Sequence, residues 1–276
     1  MRDALVISAL SILPKHTVAR WMGAAARLRL PGPILRLFLS WYVWKYGVDL
    51  SECQGTLADY SSVVDFFTRA LRPGLRPVDA APEAIVSPCD GRVYAAGIVE
   101  GDHIPQSESQ HFSARELVGS DAYEGGSYIV IYLSPRDYHR VHVPRECTVS
   151  RFSYLPGAVW PVFPAATRKI PFLFSRNERL VAFCDTDLGA VALCMVGAFG
   201  VGRIRMVFDA PISNTGATAL ALGTVVPPYA LERAAEVGRF EMGSTVVLLV
   251  PPGAVSWTVA AGAPVRLGER IGVVAR

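Results

Sequence analysis

No stretch of the 276-residue chain stays apolar for long enough to cross a bilayer. Residues 210–231 and 245–265 carry no charge, but Pro211, Pro227, Pro228, Pro251 and Pro252 interrupt them, which excludes a transmembrane helix. Cysteine is scarce. Cys53, Cys89, Cys147, Cys184 and Cys194 are odd in number and show no paired metal spacing. They argue against a disulfide frame or a zinc site and fit reduced thiols in a cytoplasmic setting. Charged residues make up only 18% against 51% hydrophobic, a balance that excludes disorder and supplies a sizeable core. No Gly-rich nucleotide loop is present, because the glycine-spaced residues 196–202 fall between β-like runs and read as a hairpin. Nor is there a His-Glu-x-x-His helix, a repeat of fixed period, or a secretory signal with a single apolar core and a cleavage site.

The formal charge of +3 is unevenly placed. Residues 1–47 hold Arg2, Lys15, Arg20, Arg27, Arg29, Arg36 and Lys45 against Asp3 alone, so the rest of the chain is net acidic. Within this segment Val18, Trp21, Met22, Ala25 and Leu28 recur at helical spacing, and Pro31-Gly32-Pro33 separates them from a second helix ending at Gly47. That second helix is apolar almost all round and rich in aromatics, yet too short to span. A basic helix followed by an aromatic one reads as a hairpin lying in the surface of an anionic membrane, with a pair of core helices as the alternative. Arginines interleaved with large apolar groups do not suit nucleic acid, whose phosphates call for a broadly polar face.

Residues 48–80 read as a connector with one short helix over 61–71, in which Val64, Phe67 and Leu71 face the core. Beyond it come short β-like runs at 84–88, 92–99, 127–134, 146–154, 180–185, 190–197, 200–209, 218–226, 245–250, 255–260 and 270–274. Many short strands without alternating helices predict an α+β chain whose core is a mostly antiparallel β-barrel or sandwich.

Four segments carry chemistry. Gly238-Arg239-Phe240-Glu241-Met242-Gly243-Ser244-Thr245 precedes an apolar run, so Ser244 sits beside a weakly shielded Gly243 carbonyl at the mouth of a strand. Ser87-Pro88-Cys89-Asp90-Gly91 places Asp90 in a turn, where aspartate before glycine is also common for local reasons. Tyr138-His139-Arg140-Val141-His142-Val143-Pro144 holds two of the five histidines. Arg176-Asn177-Glu178-Arg179 is a polar cluster that an ordinary hairpin tip would also explain. A hydroxyl, an imidazole and a carboxylate are the ingredients of an activated nucleophile.

In this order and over roughly residues 58–249, the four segments resemble the phosphatidylserine decarboxylase family. The resemblance implies a chain that cuts itself between Gly243 and Ser244, with Asp90, His142 and Ser244 as the processing triad. Ser244 Oγ attacks the Gly243 carbonyl, giving an ester. Loss of the Ser244 α-proton then expels the upstream chain as a carboxylate, and the resulting dehydroalanine hydrolyses to a pyruvoyl group and ammonia. That group is the implied cofactor. It condenses with the amine of phosphatidylserine, carbon dioxide leaves, and phosphatidylethanolamine is released, with His139 as the implied general acid. The expected organisation is a membrane-surface region, 1–47, and a decarboxylase domain, 48–276, cut into chains 1–243 and 244–276 that stay associated, possibly as a homo-oligomer. A peripheral position on the cytoplasmic side of the membrane follows from the same reading. Two departures stand out: Met242 replaces the commoner leucine, and Phe163 stands where asparagine is usual. The competing readings are a serine hydrolase using the same triad, against which the missing Gly-x-Ser-x-Gly elbow speaks, and a non-catalytic lipid-binding barrel.

Overall fold

The computed structural model describes residues 14–200, 203–242 and 244–275. Gly243 of the expected cleavage site lies outside them, as do Val201 and Gly202 of the glycine-spaced stretch and Arg2 and Asp3 of the basic segment.

Both N-terminal helices form: α1, Lys15–Arg27, and α2, Gly32–Tyr46. Proline in the first turn of α2 removes an N–H that would have no helical partner, and Gly47 closes the helix in the left-handed conformation at φ 69°. A short α3, Val63–Phe67, starts where the Ser62 side chain accepts from the Asp65 N–H at 3.1 Å. There follow β1 (Ala84–Val86), β2 (Gly91–Ile98), β3 (His103–Ser107), β4 (Gln110–Ser113), α4 (Ala114–Val118), β5 (Ser127–Leu133), β6 (Arg140–His142) and β7 (Cys147–Leu155). The second half holds α5 (Pro164–Lys169), α6 (Leu173–Arg176), β8 (Arg179–Thr186), β9 (Gly189–Val196), β10 (Ile204–Met206), β11 (Ala221–Leu231), β12 (Glu236–Phe240), β13 (Ser244–Val250), β14 (Val255–Trp257), β15 (Pro264–Val265) and β16 (Arg270–Val274).

Eight of these strands make one antiparallel sheet in the order β11-β7-β8-β9-β13-β5-β2-β15. Its end strands β11 and β15 do not meet, so the sheet is open and the barrel alternative falls away. Residues alternate across the pleat, and both faces are covered. On one face Val246, Leu248 and Val250 of β13 pack with Ile85, Val141, Phe240 and Ile271 from the two three-stranded sheets β1-β16-β14 and β10-β12-β6. On the other, Val247 and Leu249 pack with Ile104, Phe112, Leu117 and Phe174 from the β3–β4 hairpin and α4–α6. The outcome is a sandwich on one side and a helical layer on the other, with β13 in the middle of both.

Candidate active site

The histidine segment meets the segment that leads to Ser244 where β12 ends, and the Asp90 turn abuts the histidine strand farther along. β12 runs to Phe240, whose N–H donates to the His139 carbonyl at 3.0 Å, and the next residue, Glu241, donates from its N–H to the Arg203 carbonyl at 2.8 Å. β13 starts with the Ser244 backbone opposite Leu133, and Thr245 follows between Tyr132 and Val196. In sequence, Met242 and Gly243 lie between the two runs.

His139 is fully buried against Phe67 of α3, with ring centroids 4.1 Å apart. Its Nδ1 lies 2.8 Å from the Asp137 carbonyl, which can only accept, so Nδ1 carries the proton and Nε2 keeps a lone pair. Among the described residues that Nε2 has no partner. Burial pushes the ring down to about 3, with the Asp137 hydrogen bond opposing, so it is neutral near pH 7.

His142 is buried too. Nδ1 donates to the Ala234 carbonyl at 2.7 Å, and Nε2 accepts from the Tyr138 hydroxyl at 3.2 Å. Burial pushes Tyr138 up to about 12, which keeps it a donor. Burial also lowers His142, while the hydrogen bond to Ala234 and the charges of Glu236 and Asp90 favour its protonated form.

Asp90 is not hydrogen-bonded to His142. Its carboxylate is held by Arg76, with Nη2 at 2.6 Å and Nε at 2.9 Å, and accepts from the Leu267 N–H at 2.9 Å. Arg76 in turn reaches Glu52 at 2.7 Å. The Pro88–Gly91 turn nevertheless abuts the histidine strand, because the His142 N–H donates to the Pro88 carbonyl at 2.8 Å. The carboxylate directly across the ladder from His142 is Glu236, paired with Arg140 at 3.2 Å and Arg239 at 2.8 Å. Sequence reasoning passed over Glu236 and Arg76, because no motif marks either. Tyr138 lies in the histidine motif, but nothing in the sequence marks its hydroxyl as the partner of His142.

A cleft of about 230 Å³ opens at Met242 and Leu133, lined by Tyr42, Phe67, Tyr132 and Phe163. Phe163 therefore presents an apolar ring where the resemblance calls for asparagine. The Arg176-Asn177-Glu178-Arg179 cluster is no hairpin tip. Asn177 is buried, donating to the Trp160 and Gly197 carbonyls at 2.8 Å each and accepting from the Trp160 N–H at 3.0 Å, which ties together the two loops that line the cleft. Glu178 accepts from the Tyr154 hydroxyl at 2.6 Å and the Asn214 N–H at 2.8 Å, and Arg179 is spent on the Leu117 and Asn177 carbonyls at 2.7 Å each.

Of the two N-terminal helices, α2 closes one side of the cleft. Leu35, Leu39 and Tyr42 of α2 pack on Phe66, Phe67 and Met242, and the Tyr42 hydroxyl donates to the Pro135 carbonyl at 2.9 Å. Their other faces are bare: Trp21 is 73% exposed, Leu37 74%, Trp41 49% and Trp44 77%. No helix among the described residues is long and apolar enough to cross a membrane.

The sequence model of the family described as phosphatidylserine decarboxylase matches residues 63–273. The chain belongs to the phosphatidylserine decarboxylase family. Similar relatives include the phosphatidylserine decarboxylase proenzymes of Myxococcus xanthus, 40% identical over 99% of this chain and 100% of the relative, and of Anaeromyxobacter, 41% identical over 99% of both. That of Stutzerimonas stutzeri is 38% identical over 100% of this chain and 96% of its own length.

Proposed function

We propose that the chain is a proenzyme that cleaves itself between Gly243 and Ser244 and then decarboxylates phosphatidylserine to phosphatidylethanolamine. The observation that carries this reading is that the His139 carbonyl accepts from the Phe240 N–H at the end of β12, while the Asp90 turn is bonded to the same histidine strand through the Pro88 carbonyl and the His142 N–H. In the processing step the Tyr138 hydroxyl gives up His142 Nε2, which then takes the Ser244 proton. The charges of Glu236 and Asp90 favour the imidazolium that results, and the Asp90–Arg76 pair fixes the turn beside it. His139, with its unpartnered Nε2, is assigned to lipid turnover and must gain a proton before it can return one to carbon.

The residues at the head of β13 fit a pyruvoyl group derived from Ser244. The Thr245 hydroxyl is buried beside that position without a partner among the described residues, as is His139 Nε2, so two polar atoms remain for a carbonyl and its substrate. Once formed, the group supplies an electron sink for the departing carboxylate. The aromatic cleft excludes water from the reacting centre, and Tyr42 and Phe67 shape its wall. The bare aromatics of α1 and α2, with their arginines, support a position on the surface of an anionic membrane; in this reading the protein is peripheral, on the cytoplasmic side, and the lipid enters along α2.

Replacing Ser244 tests the reading. On a denaturing gel wild type should give two chains and decarboxylate phosphatidylserine, whereas Ser244→Ala should stay whole and inactive. A Ser244→Ala protein that still releases carbon dioxide would defeat it.

A further inference from the structure

We infer that Glu241 is a positioning residue for self-cleavage and that α1, through Arg27, belongs to the processing apparatus. The inference rests on the reading of Gly243-Ser244 as the bond that is cut. Glu241 lies two residues before Gly243, and its carboxylate is buried. Arg27, in the last turn of α1, donates to one oxygen at 2.9 Å, and Arg205 of β10 donates to the other at 2.7 Å. The main chain of the same residue is bonded to Arg203. The next residue, Met242, packs on the cluster formed by α2 and α3. Lys15 at the start of α1 sits 3.9 Å over the Trp160 ring, so α1 is fixed at its other end to the loop that lines the cleft.

Intramolecular attack by Ser244 requires the Gly243 carbonyl to be held at bonding distance and correct angle, and errors near 1 Å lower such rates by about 10²-fold. On the C-terminal side the β5–β13–β9 ladder supplies that fixity. On the N-terminal side β12 has already ended, and among the described residues the chain is held by the Glu241 N–H on the Arg203 carbonyl, the Glu241 side chain and the seat of Met242. Two arginines from separate elements on one carboxylate restrain both its position and its rotation. The carboxylate touches no reacting atom in this account; it acts by placing the peptide that follows. The inference ties the expected membrane-surface region, 1–47, to the decarboxylase domain, 48–276, through the Arg27–Glu241 pair.

The test follows full-length protein made by cell-free synthesis and sampled on denaturing gels, so that cleavage is timed from the uncut chain. Glu241→Ala should slow cleavage by about 10- to 100-fold. Arg27→Ala should slow it less, because Arg205 remains, and Arg27→Lys should recover most of the rate. Fold stability is measured separately by melting the same variants in the uncleavable Ser244→Ala background. Asp79→Ala, which breaks the distant Asp79–Arg270 pair, calibrates how far mere loss of stability slows cleavage. A Glu241→Ala chain that is cut within about twofold of the wild-type rate overturns the inference, and so does slowing no greater than stability loss alone produces in the Asp79→Ala control. A wild-type chain that is never cut would instead strike at the proposed function.

Discussion

At the residue scale the two histidines, three positions apart, have different hydrogen-bond situations. His142 has both nitrogens engaged, by Ala234 and Tyr138, whereas His139 has one engaged and one without a partner among the described residues. Cleavage and lipid turnover are therefore expected to separate on mutation. His142→Ala and Asp90→Ala should accumulate uncut chain. His139→Ala should be cut and then turn over lipid more slowly, by the roughly 10²- to 10⁴-fold attached to a lost general acid or base. Gels and carbon dioxide release, scored on the same preparations, decide the matter; blocked cleavage in His139→Ala with normal cleavage in His142→Ala would reverse the assignment. Burial of His139 also has a pH signature. Its folded value, about 3, lies below its ordinary 6.5, so in between the unfolded chain binds the proton and the folded one does not. Stability should then be complete above pH 6.5 and decline as pH falls from there toward 3, by up to about 1.4 kcal/mol per pH unit. Melting curves of Ser244→Ala between pH 7.5 and 5, with and without His139→Gln, should show a shallower decline in the double variant; parallel curves would mean that His139 does not resist protonation.

At the element scale the N-terminal hairpin has two faces with separate tasks. Small and buried Ala19, Gly23 and Ala26 let α1 lie close against the protein, while its tryptophan points out. Replacing Trp21 and Trp44 with glutamate should weaken binding to vesicles that contain anionic lipid and leave chain cleavage at its wild-type rate, because neither side chain is buried. Flotation with vesicles measures the first and a gel the second; equal flotation of both proteins would count against a membrane-bound face. Both helices of the hairpin were legible from spacing, from Pro31-Gly32-Pro33 and from Gly47. Their inner contacts were not, since a carboxylate more than two hundred residues away leaves no local trace of its pairing with Arg27. The long strands were legible for the same reason as the helices: apolar runs such as 127–134 and 190–197 state their burial outright. β6 and β12 were not, because Arg140, His142, Glu236 and Arg239 interrupt any apolar pattern. Strands that carry a site's charges look least like strands. The site was legible only where four segments in fixed order pointed to a family; Glu236, Arg76 and the true setting of Asn177 emerged from tertiary pairing.

At the scale of the whole molecule, the proposed cut leaves the part that follows it embedded in the sheet. β13 lies between β9 and β5, and Val246, Val247, Leu248, Leu249 and Val250 are all buried, each worth about 1.5–3 kcal/mol relative to exposure. Further ties cross the same divide, among them Asp90 to the Leu267 N–H, Glu52 to Arg266 and Asp79 to Arg270. The segment after Ser244 should thus remain embedded after cleavage, with its new terminus at the cleft. Intact-mass measurement of the purified wild-type protein under denaturing conditions tests this account most directly. It should show two chains, one ending in the free carboxylate of Gly243 and one running from position 244 to Arg276, the latter lighter by one ammonia than a chain starting with serine. A single mass for the whole chain in a preparation that decarboxylates phosphatidylserine would contradict it.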